Sequence, residues 1–200
     1  MKNNPTTRRG VLSTTSATYD PIGFIAPAIL PAKLLLQQLT CRKADWDECL
    51  NDTELIEWKN WLTAMENVDK VRVTRSLRPS GTVNNEIISC EIHCFSDASE
   101  VGYGSSLYAR LEDSDGNVQC SLILGKSRVA PLKRLSIPRL ELTAAAMSVR
   151  LCNMMLHEID LEVTDTVFWT DSSIFLCYIK NESSRFNTFV ANRVSCIQRS

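Results

Sequence analysis

The chain has 200 residues, a hydrophobic fraction of 44%, and 22 lysines and arginines against 23 aspartates and glutamates, a formal net charge of −1. These values predict a globular chain of one domain with an extension, or of two small domains. They exclude a polybasic tail protein and a strongly acidic disordered one. The most apolar stretch, residues 22–36, is interrupted by Pro27, Pro31 and Lys33. A bilayer span takes about 20 apolar residues, so no membrane partner is expected.

The N-terminal residues and the cysteines predict the compartment. No apolar core follows the first residues, so we expect no secretory signal and an intracellular protein of the cytoplasm or nucleus. The eight cysteines include no Cys-x-x-Cys pair, and there are only two histidines, so the ligands of a structural zinc site are lacking. Cys94, Cys152 and Cys177 lie in apolar runs. We therefore expect buried free thiols in a reducing compartment.

The first part of the chain is predicted to be helical. Residues 1–10 are polar and are expected to lack regular structure. The proline- and glycine-rich segment 20–27 predicts an ordered turn between helical pieces. Leucine spacing predicts a helix over 31–41. Another helix is predicted to begin at an N-cap, Asp52 or the following threonine, and to end near Val68.

A polar loop near residues 76–88 separates this part from a second one with strand composition. The predicted elements beyond it are strands at 86–95, 102–111 and 118–124, a helix at 138–157, a buried strand at 167–170, and helices at 172–180 and 186–197. A hairpin turn at 113–117 joins the second and third strands. This order predicts an α/β fold of the mixed α+β type. An antiparallel meander and a parallel crossover strand form one mixed sheet flanked by helices, and a small helical segment precedes it.

Three carboxylates lie at the ends of these elements. Asp97 ends the first strand, Glu141 lies in the first turn of the long helix, and Asp171 ends the buried strand. Ligands collect at the carboxyl ends of strands in open sheets, and carboxylate oxygens suit Mg²⁺ or Mn²⁺. Two such ions about 3.5–4 Å apart can hold the attacking water and the leaving oxygen of a phosphodiester. Each acid also has a structural explanation, as an Asx turn, a charge near a helix N-terminus, or an N-cap.

Two segments carry clustered cations without an acid, residues 126–139 and 184–200. Lys126 and Arg128 directly follow the predicted third strand, and we expect them to contact nucleic-acid phosphates. Arg139, at the other end of the first segment, is the third candidate for nucleic-acid binding. For the arginines of the second segment we expect a solvated helix face.

Eight segments of the chain match a known family, in that family's order. They are residues 9–13, 19–27, 30–33, 95–99, 125–131, 137–142, 168–172 and 189–193. On these residues the chain resembles the BEL/Pao retrotransposon Pol polyprotein, in the stretch that joins reverse transcriptase to ribonuclease H. The resemblance covers residues 8 to about 197.

The resemblance implies a ribonuclease H-like domain over residues 86–200, which uses four carboxylates and two Mg²⁺ ions to cut the RNA strand of an RNA–DNA hybrid. Asp97, Glu141 and Asp171 match three of those carboxylates. The family's fourth acid lies beyond a further strand, and the chain stops at Ser200. We therefore expect an incomplete domain with weak or no cleavage.

The resemblance also implies that residues 1–76 are a thumb/connection-like segment, and that the partners are nucleic acid and the other Pol domains, reverse transcriptase and integrase. No Tyr-x-Asp-Asp polymerase signature is present, so DNA synthesis is not expected.

Two alternatives to a nuclease remain. One is a non-catalytic fragment, truncated or domesticated, that binds nucleic acid or protein. The other is an aspartic peptidase, because the family is also catalogued as "Pao retrotransposon peptidase". A peptidase needs Asp-Thr/Ser-Gly, and the near matches at Asp113, Asp165 and Asp171 all lack the glycine. We therefore do not expect peptidase activity.

Overall fold

A computed structural model describes residues 6–73, 76–77, 86–181 and 186–199. The chain divides into two compact units, Met1–Val73 and Thr74–Ser200. The helices are α1 (Arg8–Ala17), α2 (Ala26–Cys41), α3 (Asp52–Glu66), α4 (Ile137–Glu158), α5 (Ser173–Lys180) and α6 (Thr188–Gln198), with a short 3₁₀ turn at Val68–Lys70. The strands are β1 (Ile87–Ala98), β2 (Gly102–Asp113), β3 (Val118–Val129) and β4 (Asp165–Trp169).

The first unit is a helical cluster around two stacked tryptophans. The Trp58 and Trp61 rings lie 4.9 Å apart between centroids and 16° from parallel. The indole Nε1 of Trp61 donates to the carbonyl of Ala28, 2.7 Å away. Val11 and Leu39 are fully buried beside them. Each of the three helices therefore contributes to one apolar core.

Residues 8–10 are helical, contrary to the expectation that they lack regular structure. The hydroxyl of Thr7 caps α1 by accepting from the backbone N–H of Gly10 at 3.2 Å. Inside the helix, the Thr14 hydroxyl donates to the Gly10 carbonyl at 2.8 Å. These local bonds satisfy polar groups within and before the helix, so the polar composition of residues 1–10 does not prevent α1 from starting at Arg8.

The second helix begins earlier than residue 31, where the sequence predicted it. The carboxylate of Asp20 accepts from the backbone N–H groups of Phe24 and Ile25 at 2.9 and 3.0 Å. These bonds fix the turn before α2. Pro27 occupies the first turn of α2, where a backbone donor is not needed, and Pro31 lies inside the helix.

The second unit contains a mixed four-stranded sheet in the order β3-β2-β1-β4. β1 pairs antiparallel with β2, and β2 pairs antiparallel with β3. β1 pairs parallel with β4, from Glu91 opposite Asp165 to Phe95 opposite Trp169. The predicted α/β fold with a meander and a parallel crossover strand is confirmed.

The turn between β2 and β3 is organised by a buried carboxylate. Asp113 is 0% exposed. Its Oδ1 accepts from the backbone N–H of Asp115 at 3.0 Å and of Asn117 at 2.9 Å, and the Asn117 side chain donates to both carboxylate oxygens. The side chain therefore replaces backbone partners within the turn, the usual role of Asp there.

One face of the sheet is covered by α4. Alternate residues of β1 and β2, including Cys94 and Leu107, pack against Leu151 and Cys152 of α4. Helices α5 and α6 add a second cluster around Leu142 of the same helix. Helix α4 is therefore apolar on two sides.

Among the described helices, none is long and apolar enough to cross a membrane.

The strand predicted to be buried is an edge strand within the described sheet. β4 pairs only with β1 there, and Phe168 and Trp169 are 45% and 50% exposed. A run of apolar residues does not distinguish a two-sided central strand from an edge strand with one exposed face.

The cysteines are free, but they are not all buried as expected. Cys90, Cys94 and Cys152 are buried, whereas Cys177 is exposed, as are Cys41, Cys49 and Cys120. Burial raises the pKa of the Cys90 thiol. The neighbouring Cys152 thiol, together with burial, raises the pKa of Cys94.

Candidate active site

Asp97 lies at the carboxyl end of β1, which continues to Ala98, beyond the predicted limit at residue 95. The side chain is exposed, and its Oδ1 accepts from the Ala98 N–H at 2.7 Å. Its partner across the β1–β2 ladder is Gly104. A Cβ at Gly104 would lie 3.2 Å from the Lys126 carbonyl oxygen. Glycine therefore permits close strand packing at this position.

Asp171 lies at the same end of the sheet as Asp97. The last pair of the parallel ladder joins Phe95 to Trp169. Each aspartate follows two positions beyond its member of that pair. Asp171 is exposed in the connection between β4 and α5. The parallel register therefore carries both carboxylates to the carboxyl ends of neighbouring strands.

Glu141 approaches this connection from α4. It lies just beyond the first turn of α4, which holds no acid, so its predicted position in that turn is wrong. Its Oε2 accepts from the hydroxyl of Ser172 at 2.5 Å. The same hydroxyl caps α5 by accepting from the Phe175 N–H at 3.1 Å. Ser172 is 7% exposed, so this bond ties Glu141 to the residue after Asp171 in a sheltered place.

Lys126 and Arg128 lie inside β3, which extends to Val129, and do not follow the strand. They pair with Ser105 and Tyr103 of β2. These β2 positions alternate with Gly104, so Lys126 and Arg128 lie on the α4 side of the sheet and Asp97 on the other. Arg139 lies in the first turn of α4, with its guanidinium carbon 5.8 Å from the centroid of the Phe189 ring.

A cavity of about 470 Å³ opens between the ends of β2 and β3 and the helices α4 and α6. Its described lining includes Lys126, Arg128, Arg150 and Arg193 and contains no acid. We refer to these four side chains and the cavity as the basic groove. Arg139 does not line it.

A family model described as "Pao retrotransposon-like RNaseH-like domain" matches residues 7–172. The chain belongs to this family. The chain is also similar to the crystal structure of an RNase H1 from the halophilic archaeon Halobacterium salinarum NRC-1, with 10% sequence identity and a TM-score of 0.35 over 55% of this chain and 75% of that one. No curated protein matches the sequence.

The family match confirms the predicted resemblance and the ribonuclease H-like fold of this Pao-family chain. The match includes Asp97, Glu141 and Asp171 and ends at residue 172, before α5 begins, so it does not test the predicted extension of the resemblance to about residue 197.

Arg193 was expected on a solvated helix face, but it is partly buried in this Pao-family structure. Its Nε donates to the Thr143 hydroxyl and its Nη1 to the Phe189 carbonyl, each at 3.0 Å. The guanidinium carbon lies 3.5 Å from the centroid of the Phe189 ring. Burial, with a contribution from Arg150, lowers the pKa of Arg193. The four-residue spacing of Phe189 and Arg193 on one helix was the available signal.

The three acids of the Pao-family chain are a suitable donor set for a hard divalent cation, because all are carboxylates. Within the described ranges, however, no three acid, histidine or cysteine side chains stand close enough to hold a metal ion. The fold thus brings the acid-bearing segments to one edge of the sheet without closing the side chains into a cage. A bound cation would offset the repulsion between carboxylates drawn together around it.

Proposed function

We propose that the ribonuclease H-like unit carries a metal site of the kind that hydrolyses the RNA strand of RNA–DNA hybrids, in which Asp97, Glu141 and Asp171 bind Mg²⁺ or Mn²⁺. The observation that carries the proposal is the hydrogen bond from Ser172 to Glu141, which ties α4 to the connection that bears Asp171. The bound ions would activate the attacking water and stabilise the leaving oxygen.

The side chains of the site have different roles in metal binding. Asp97 offers an exposed carboxylate opposite Gly104 of β2. Ser172 orients one oxygen of Glu141 and leaves the other oxygen available as a ligand. Asp171 offers an exposed carboxylate at the end of the neighbouring strand. The site therefore combines one oriented acid with two accessible ones.

The basic groove supports nucleic acid as the substrate class. Lys126 and Arg128 are exposed, and no ion pair involves them within the described residues. We propose that they contact backbone phosphates on the α4 side, while the acids act at the sheet edge, and that Arg139 adds a further contact.

The extent of cleavage is part of the proposal. The family resemblance implies four carboxylates, of which these residues match three. We therefore propose that the 200-residue chain binds the metal and cleaves weakly or not at all by itself.

The test is a Mn²⁺ and Mg²⁺ titration of the full 200-residue chain, followed by thermal shift and by cleavage of a labelled hybrid. Asp97→Asn is compared with the matched control Asp165→Asn. Both aspartates are exposed, and each accepts from the next residue's N–H at 2.7 Å, but Asp165 begins β4 at the other end of the ladder. An ion at 100 times its Kd stabilises the fold by about 2.7 kcal/mol.

We expect metal stabilisation in wild type and in Asp165→Asn, and its loss in Asp97→Asn. Cleavage that follows the same pattern shows that three carboxylates suffice. Binding without cleavage shows that they hold an ion but do not complete the reaction. A folded wild-type chain without any metal response contradicts the proposal.

The alternative function is nucleic-acid binding without cleavage. The basic groove favours it specifically, because phosphate contact there needs none of the three acids. Arg128→Ala should weaken hybrid binding and reduce its salt dependence relative to Lys59→Ala, an exposed lysine of α3. If Arg128→Ala binds the hybrid as Lys59→Ala does, the groove is not a phosphate site.

The partners, the role of the first unit and the cellular location remain predictions. We propose the other Pol domains, reverse transcriptase and integrase, as partners, and a thumb/connection-like role for the first unit. The cytoplasm or nucleus remains the predicted location.

A further inference from the structure

The face of the sheet opposite α4 carries a line of aromatic side chains. Phe95, Tyr108 and Trp169 are 42%, 37% and 50% exposed. The Phe95 and Trp169 rings lie 6.0 Å apart between centroids and 9° from parallel. Asp97 is two positions beyond Phe95 on the same strand and therefore lies on this face too. The aromatic line ends beside the proposed metal site.

Trp169 is also hydrogen-bonded across the β4–β1 pair. Its indole Nε1 donates to Nδ1 of His93 at 3.0 Å. Nε2 of His93 lies 3.1 Å from Oε2 of Glu91, whose other oxygen is 3.5 Å from Arg110. An indole N–H can only donate, so Nδ1 of His93 must be an unprotonated acceptor and Nε2 must carry the hydrogen. We call Trp169, His93 and Glu91 the indole clasp.

The indole clasp lies at the point where the backbone pairing between β1 and β4 ends. Trp169 is the last residue of β4 that pairs with β1. The segment 170–172 follows it, and Ser172 is fixed on the far side by its bond to Glu141. Asp171 is therefore held between two side-chain tethers, one to the sheet and one to α4.

We propose that Trp169 and His93 are positioning residues that hold the carboxyl end of β4 and thereby place Asp171. The role of this placement in metal binding rests on the proposed function. The effect on the segment 170–172 does not.

The size of the effect follows from one neutral hydrogen bond, worth about 1 kcal/mol. A loss of that size raises the population of the open segment about fivefold. Amide hydrogen exchange at residues 170–172 should accelerate by that factor, while exchange along α4 stays unchanged.

The variant that isolates the bond is Trp169→Phe, which keeps a ring against Phe95 and removes the donor. Trp46→Phe is the matched control, because Trp46 is 45% exposed and belongs to the first unit. His93→Phe removes the acceptor of the same hydrogen bond. His93→Asn places a carbonyl oxygen near the former Nδ1 and should restore the bond.

The full 200-residue chain is measured by hydrogen exchange and by Mn²⁺ binding. We expect Trp169→Phe and His93→Phe to accelerate exchange at residues 170–172 about fivefold and to weaken Mn²⁺ binding several-fold. We expect His93→Asn and Trp46→Phe to do neither.

Two results overturn the inference. In one, exchange at 170–172 in Trp169→Phe stays within twofold of the Trp46→Phe control. In the other, exchange rises equally along α4, which would make the clasp a general stability element. If wild type does not bind Mn²⁺, the proposed function fails separately, and the exchange results alone decide whether the clasp holds the segment.

Discussion

Replacing Ser172 with alanine removes both hydrogen bonds that its hydroxyl makes. The hydroxyl accepts from the Phe175 N–H at 3.1 Å and donates to Glu141 Oε2 at 2.5 Å. Loss of an N-cap costs about 1 kcal/mol, and loss of a hydrogen bond to a charged group costs about 1.5–3 kcal/mol. We expect Ser172→Ala to lower the free energy of unfolding by about 2.5–4 kcal/mol, the sum of the two.

Asn187→Ala is the control for the cap alone, because Asn187 caps α6 by accepting from the Val190 N–H at 3.1 Å. It should cost about 1 kcal/mol. Urea unfolding of both variants measures the difference, which is the contribution of the bond to Glu141. If Ser172→Ala costs no more than Asn187→Ala, the Ser172–Glu141 bond does not organise the site.

Two further predictions concern carboxylates outside the site. The Arg42 guanidinium lowers the pKa of the buried Glu54, so its stabilisation is complete above its unfolded pKa of about 4.3 and is lost as pH falls through the lower folded value. Thermal melts between pH 6 and pH 3 should show a smaller loss in Glu54→Gln than in wild type, and equal losses would contradict the ion-pair argument. Asp113→Ala leaves the turn donors without their buried acceptor and should cost about 2 kcal/mol or more in urea unfolding. Ser114→Ala, at an exposed position of the same turn, should change little, and equal costs for the two variants would refute the role of Asp113.

The sheet topology could be predicted because its signals are local. The turn residues after Asp113 mark the hairpin, and the apolar periodicity from Leu140 to Met155 marks α4. The start of α1 at Arg8 was not predicted, because the polar composition of residues 1–10 favours irregular structure, whereas the Thr7 hydroxyl caps the helix in the structure.

The site could be predicted less completely. Asp97, Glu141 and Asp171 could be predicted as site residues, because each lies near the end of a predicted strand or helix. The basic groove could not be predicted, because Arg150 and Arg193 come from two helices whose packing depends on tertiary contacts. Whether β4 is central or at an edge likewise depends on neighbours that no local pattern encodes.

The strand pairings also set an order of folding. β2 and β3 are joined by a four-residue turn, whereas Thr164 reaches Cys90 from 74 positions away. Loop-closure entropy favours early formation of the local β2–β3 hairpin. The parallel β1–β4 pair can form only after the whole of α4 has been synthesised. During synthesis, β1 therefore emerges and pairs with β2 long before its second neighbour exists. We therefore expect the carboxyl end of β4, which precedes Asp171, to be the last part of the described sheet to form, so a refolding chain should acquire its hairpin before this end of the sheet.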